Sequence, residues 1–514
     1  MISAEPEQDR GLFPNAWLIP ALATLGLAGI VQVIQRPLNG DAAWYLYMGG
    51  RVLDGARAYV DIVDTNPPLI VWLSIAVVAG SRALGLVPLV AFPSLLLALT
   101  GLSLGLAWRL SRALPTALRQ VSLLAWAYLL WDGVGSGFGQ REHLMLILTL
   151  PYVFGATNVA RGQHLPRGLA IVTGVMAGVG FGLKPFFVLA PIAVELYLAI
   201  CRRVAVWKRL QALAMLGTLL VYGVAILGFT PEYLDVARRF AAIYPHFNPL
   251  GSTLWPSSWR LLLVGGAVTA SSVVAWSSAR GWAGVFGALA LGLTGAVYLT
   301  GKGWVYHWFP PVAVSVALLA GAGGMVAARF SLLGGRRMAA PLMALIVLLL
   351  AVDTVADPLS RIRGDREVLR FVQARTRPGD GMLILSCWLH KSFPLVNESG
   401  TVWGMRYPMI LHVPAFYADG SWARGGYHTL AAMGGPERRY VDEVASDFVR
   451  THPAVLLIDD DPPDPNLTGF DYLVYFAQEP QFARELAGYE YVARLSHARA
   501  YVRRDRSISS REKL

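Results

Sequence analysis

Apolar stretches of about 17–24 residues recur along the first two-thirds of this chain, each long enough to cross a hydrocarbon core ~30 Å thick. A chain built this way is a polytopic helical membrane protein. Composition agrees: 55% of the 514 residues are hydrophobic and 15% are charged, where a soluble protein carries about a quarter. The first apolar run, from about Trp17 to Val33, follows an acidic, proline-containing leader and lacks a small-residue cleavage site, so it reads as a retained first span.

The net charge of +11 raises nucleic acid as a partner. Much of that charge, however, lies in short loops: Arg109, Arg112 and Arg119; Arg161 and Arg167; Arg202, Arg203, Lys208 and Arg209; Arg336 and Arg337. This is the positive-inside pattern of cytoplasmic loops, and it accounts for the charge without nucleic acid. Cys201 and Cys387 are far apart and form neither a metal motif nor a disulfide framework.

Placing the arginine loops inside puts segments 36–66, 132–142, 230–257 and 301–307 outside. A last span at about 338–354 closes a transmembrane domain covering 1–357. Residues 358–514 hold most of the acids and read as a small C-terminal α/β domain on the periplasmic, outer side. There "DREVLRFVQARTRPGDGMLILSC" and "VDEVASDFVRTHPAVLLIDD" each give a helix followed by a strand, and "YEYVARLSHARAYVRRD" gives a hairpin. Residues 68–108 look like two apolar helices where the charge pattern demands an odd number of crossings, so one is expected to lie in the interface, or one arginine loop to break the charge rule. The expected fold is therefore mainly α, a transmembrane bundle with an odd number of spans, about 11 to 13, plus the small α/β domain.

Acids are scarce where the chain is apolar. Between residues 65 and 230 there are three, Asp132, Glu142 and Glu195, whereas the first outer loop alone holds Asp41, Asp54, Asp61 and Asp64. A charge at a membrane boundary is costly unless solvated or paired, so each is a functional candidate. Asp41 heads "AAWYLYMGGRVL", a short aromatic-rich helix whose N-terminus would stabilise a carboxylate facing the lipid surface; plain helix capping is the alternative. Asp64 and Asn66 stand just before Pro67 and Pro68, which open the next helix. "DGVGSGFGQREH" gathers Asp132, Arg141, Glu142 and His143 around a glycine-rich turn, as a ligand site or as a self-satisfied polar cap. Lys184, in "GFGLKPFF", is either a snorkelling lysine or a phosphate ligand. Glu195 is assigned to helix packing.

Four features in order resemble the GT-C superfamily of integral membrane glycosyltransferases, which includes protein O-mannosyltransferases and the lipid A aminoarabinose transferase. They are Asp41 after the first span, "YMGGRVLDGARAYVD", "NPPL" at 66–69, and an outer "K…YH" before a late span. The likeness covers roughly residues 15–350. It implies a polyprenyl-phosphate-linked sugar as donor, an acceptor that is a lipid, glycan or protein, and inverting transfer on the outer face of the bacterial cytoplasmic membrane. By the same resemblance Asp41 matches the catalytic base, and Asp132 or Glu142 the second acidic position near the acceptor. Two departures stand out: Asn66 replaces the family's frequent lysine, and no Asp-x-Asp motif stands in the first outer loop. No cofactor is implied with certainty, no metal ligand is assigned, and a divalent metal is left open.

A departing lipid phosphate develops negative charge, which preplaced cations stabilise. Lys302 and His307 of "GKGWVYHW" have the right sign and side, with Tyr306, Arg141 and Lys184 as helpers, against the alternative of an aromatic belt with snorkelling cations. Segment 230–260 suits a lid over a lipid-access groove, or equally a surface-lying amphipathic helix. The rival to a transferase is a lipid or sugar transporter or flippase. Transporters place ionisable groups near the midplane and often show repeated halves; here the charges cluster at one face and no repeat is evident.

Overall fold

A computed structural model describes residues 11–35, 37–246, 254–275, 279–330 and 365–505. The span expected at 338–354, Arg336 and Arg337, the boundary at 357–358 and residues 247–253 of the 230–257 loop lie outside the described residues. A series of helices comes first in the chain. They are α1 Asn15–Gln35, α2 Gly40–Leu53, α3 Pro68–Ala83, α4 Pro88–Leu110, α5 Thr116–Trp131, α6 Arg141–Ala160 and α7 Arg167–Gly182. There follow α8 Leu189–Cys201, α9 Leu210–Phe229, α10 Glu232–Ile243, α11 Leu254–Val274, α12 Arg280–Thr300 and α13 Phe309–Phe330. Among the described residues six helices, α1, α4, α6, α9, α12 and α13, are long and apolar enough to cross a membrane, and four shorter apolar helices accompany them. The chain is a mainly helical, multi-pass membrane protein. α3, one of the two helices of the 68–108 segment, has 16 residues, so it is roughly 24 Å long against a core of ~30 Å.

Two compact units divide the chain. One comprises Met1–Arg36, Phe92–Leu227 and Leu250–Leu359; the other comprises Pro37–Ala91, Gly228–Pro249 and Ser360–Leu514. In the first unit α6 forms the core: 94% of its most apolar window is buried, against 11% for α9. Helices approach closely through small residues, as expected where lipid leaves van der Waals packing to hold them together. At Gly292 of α12, a Cβ would come within 2.6 Å of the Leu189 carbonyl oxygen at the head of α8. Polar side chains close helix ends: Asn158 Nδ2 of α6 donates to the Leu110 carbonyl at the end of α4 (2.8 Å), a group with no partner inside its own helix.

The second unit contains α2, α3, α10 and a five-stranded mixed sheet. Its strands are β1 Gly381–Leu385, β2 Val402–Trp403, β3 Val455–Asp459, β4 Tyr489–Leu495 and β5 Ala498–Arg503, in spatial order β2-β1-β3-β5-β4. β1 pairs parallel with β2 and β3, while β5 pairs antiparallel with β3 and β4. Both helix-then-strand stretches and the final hairpin of the sequence form as expected. β3 is buried along its whole length, as a strand covered on both faces must be. The segment between α1 and α3 is knitted into this sheet region by hydrogen bonds. Val63 N donates to Arg406 O (2.8 Å), Trp403 N to Tyr47 Oη (2.8 Å) and Asn397 Nδ2 to Ala43 O (3.1 Å).

α10, the amphipathic part of the lid segment, is fastened within the same unit. Phe240 packs against His412 (4.7 Å between ring centroids), Tyr233 packs edge-on against Tyr59 (5.3 Å), and Arg239 lies 3.9 Å from Glu443.

Candidate active site

The first unit buries a charged cluster where α6, the α7–α8 turn and the α12–α13 turn meet. Three local sequence choices create it. Arg141 and Glu142 begin α6, so Glu142 sits in a first helical turn, where a carboxylate is favoured. Pro185 ends the run from α7 and leaves Lys184 in extended backbone at φ −141°. Gly301 stops α12 in the left-handed region, φ 63°, which glycine reaches without strain. Behind it come Lys302, Trp304, and a single turn of 3₁₀ helix, Val305–Trp308, that presents Tyr306 and His307.

The geometry is close. Lys184 Nζ lies 2.5 Å from Glu142 Oε1 and 3.1 Å from His307 Nε2, and His307 Nε2 lies 3.5 Å from Glu142 Oε1. His307 Nδ1 is 3.4 Å from Thr300 Oγ1. The Lys184 ammonium stands over the Tyr306 ring at 5.3 Å, a cation–π distance. Tyr306 meets the His307 ring edge-on, and Trp304 stacks parallel to it. Glu142, Lys184, His307, Lys302 and Arg141 are all buried, and Lys184, Arg141 and Lys302 all act electrostatically on His307. Burial holds the Lys302 ammonium down, at about 8. A small pocket opens onto Glu142, Lys184, Phe187, Leu293, Thr300 and His307. Glu142 Oε2 accepts no hydrogen bond among the described residues. Chemically, the site is prepared for an anion beside a carboxylate oxygen that can receive a hydroxyl.

Asp132 and His143 take other positions in the same unit. Asp132 is buried at the C-terminal end of α5, its backbone carbonyl accepting from Gln32 of α1 (3.3 Å). His143 has both ring nitrogens committed, to the Leu130 carbonyl (2.8 Å) and the Gly139 N–H (3.2 Å), so it ties the glycine-rich turn together. Thr300 and Phe187 were not singled out in the sequence. Their signal was available only as position, one at the last residue of α12 and the other three residues after Lys184.

The second unit holds the first-loop acids. Asp41 lies in the first turn of α2, partly buried, its N–H donating to the side chain of the cap residue Asn39 (2.9 Å). Asp64 is buried and ties the loop: it accepts from Trp44 Nε1 (2.5 Å), from the Asn66 N–H (2.6 Å) and from Asn66 Nδ2 (2.5 Å). Tyr59 Oη donates to the Asn66 carbonyl (2.7 Å). Among the described residues no group of three or more His, Cys, Asp or Glu side chains could hold a metal ion.

No protein-family model matches the chain, and no curated protein matches its sequence. Solved structures do share its fold. ArnT from Cupriavidus metallidurans bound to undecaprenyl phosphate superposes with a TM-score of 0.58 at 14% identity, over 95% of this chain and 98% of that one. The same enzyme in the apo state gives 0.54 at 16% identity, with the same coverage. The oligosaccharyltransferase AglB from Archaeoglobus fulgidus, in complex with an inhibitory peptide and a dolichol-phosphate, gives 0.52 at 11% identity, over 92% of this chain and 72% of that one. At such identities the likeness establishes a shared fold.

Proposed function

We propose that this protein is a GT-C-type glycosyltransferase. It moves a sugar from a polyprenyl-phosphate-linked donor to the hydroxyl of a lipid, glycan or protein acceptor at the outer face of the bacterial cytoplasmic membrane. The observation that carries this reading is the buried charge around Glu142: Lys184, Arg141 and Lys302 gathered with His307 at one end of the bundle. Charge so deep is retained where it is paired or used, and a phosphate monoester uses it. The fold neighbours, recorded with undecaprenyl phosphate and with a dolichol-phosphate, support a lipid phosphate as that anion.

In this reading Asp41 removes the proton from the acceptor hydroxyl as its oxygen attacks the anomeric carbon. The bond from that carbon to the phosphate oxygen breaks, the sugar is inverted, and the polyprenyl phosphate leaves with the electron pair. Lys184, Lys302 and Arg141 stabilise its charge in a site from which water is largely excluded, where each donor acts more strongly than in bulk solvent. Tyr306 and His307 orient the phosphate. Glu142 fixes Lys184, and its Oε2 contributes with Asp132 to the acceptor side. Asp64 and Asn66 brace the loop that carries Asp41. The mechanism rests on the chain's own residues and routes no step through a metal.

The test uses the purified protein in nanodiscs, a panel of radiolabelled polyprenyl-phosphate sugars and a membrane extract as acceptor. Label is expected to enter a product, and Asp41→Asn to reduce that transfer by about 10³-fold with unfolding unchanged. An active, normally folded Asp41→Asn protein removes the base assignment. Lipid flux in proteoliposomes without transfer from the full panel replaces this reading with a flippase.

A further inference from the structure

The motif "YMGGRVLDGARAYVD" is only partly used by the reading above, since its second half carries none of the proposed chemistry. In the second unit that half forms one wall of a groove of about 500 Å³, with Arg406, Asp447 and Arg450 on the other. This volume falls in the range of small-molecule sites, ~300–1,000 Å³. Gly55, at φ +99°, turns the chain out of α2 beside Asp54 and has open space where a Cβ would stand, so the groove's edge is kept clear by backbone geometry.

The charges of the groove are unevenly committed. Asp447, fully buried, accepts from the Arg406 N–H and Nε (both 2.9 Å), from Arg406 Nη2 (3.0 Å) and from Arg450 Nη2 (2.9 Å). Asp54 accepts from Arg82 (2.8 Å), and Asp61 from the Arg57 N–H (2.8 Å) and Nε (3.3 Å). Every carboxylate is thus already held by a guanidinium. Arg51 has no such engagement: its side chain makes no hydrogen bond or ion pair among the described residues. Arg450 spends one N–H on Asp447 and is 62% exposed. Counting the partners of the lining residues, Glu443 at 3.7 Å from Arg406 included, five guanidinium groups stand against four carboxylates, and the forks of Arg51 and Arg450 match carboxylate or phosphate oxygens.

We infer that this groove binds the anionic group, carboxylate or phosphate, of a saccharide through Arg51 and Arg450, with Arg406 held in place by Asp447. Arg51 and Asp41 lie on one helix ten residues apart, so the groove sits roughly 15 Å along α2 from the proposed base. Resting on the transferase reading, the saccharide is the acceptor, and its charged group lies several bonds beyond the hydroxyl that reacts.

The experiment titrates the full chain in nanodiscs with trigalacturonate, glucose 6-phosphate and neutral maltotriose at low and high salt. At least one anionic probe is expected to bind tenfold or more tighter than maltotriose and to weaken with salt. Which anion binds identifies the chemistry. Arg51→Gln and Arg450→Gln, at partly and largely exposed positions, each lower that affinity at least tenfold, and Arg494→Gln, an exposed pair to Asp460 outside the groove, does not. Equal binding of maltotriose, absence of any anion binding, or unchanged affinity in both arginine variants overturns the inference. Anion binding through Arg51 and Arg450 in a protein without transferase activity would keep the groove and discard the acceptor assignment. Transfer without anion binding would discard the groove alone.

Discussion

The first unit contains two buried acid–base clusters, and they are built differently. At Glu195, in α8, one carboxylate receives the Tyr152 hydroxyl and Arg209 Nη1 (2.5 Å). Arg209 also reaches Gln211 (3.3 Å), which in turn donates to Thr173 (2.8 Å). Charge is balanced one to one and neutral hydrogen-bonding groups take up part of the remaining polarity, although Arg209 Nε is left without a hydrogen bond among the described residues. At Glu142 one carboxylate serves Lys184 and His307, two further cations stand near, and a carboxylate oxygen is left without a hydrogen bond among the described residues. A buried network that exists to hold helices together is cheapest when complete. What separates the two clusters is how many charged groups meet: a pair at Glu195, and Glu142, Lys184, Arg141 and Lys302 around His307 at the other.

That contrast can be broken by mutation. Lys184→Ala is expected to lower donor kcat/KM by about 10²–10³-fold, whereas Arg209→Gln leaves turnover per folded molecule unchanged. Equal losses of turnover in the two variants would erase the distinction. On stability the order reverses. Arg209→Gln strands the Glu195 charge and should cost about 3–5 kcal/mol, read as a fall in unfolding midpoint in detergent. Lys184→Ala leaves Glu142 with His307 at 3.5 Å and is expected to cost less. A smaller effect sharpens the role of Lys302. Its ammonium is held near 8, so it is charged below that pH and neutral above it. Donor use should then fall by up to about tenfold between pH 7 and 9, and Lys302→Arg should flatten that limb of the profile; an unchanged profile removes Lys302 from phosphate binding. Smallest is Thr300→Val, which frees His307 Nδ1 and should change donor KM about two- to threefold with kcat nearly constant.

Much of the fold was legible in the sequence, because membrane helices announce themselves by length and apolarity. The α/β tail was legible for a similar reason, since its helix-then-strand stretches are punctuated by Pro, Gly and Asp. Lys184 shows where legibility stopped. Its place beside a proline was visible, but the pairing with Glu142 joins residues 42 apart, and that with His307 joins residues 123 apart. No local period encodes such a meeting. Glu142 was read as an acid for the acceptor, and its contact with Lys184 adds the work of a counter-ion. The first-loop motif gave Asp41 its neighbours, yet the commitment of Asp64 to Trp44 and Asn66 depends on backbone turns that one sequence leaves open.

The burial of α6 has a biosynthetic consequence. Of the six long apolar helices it has the lowest mean hydropathy, 1.4, and the most buried surface, and it begins with Arg-Glu-His. Lipid is a poor partner for such a segment during synthesis, when α7, α8, α12 and α13 have not yet left the ribosome. Its residence in the bilayer is then secured by helices made after it. A chain arrested before α12 would leave α6 wetted by lipid and its head charges without His307. The site's most buried helix thus makes assembly contingent on completion of the bundle.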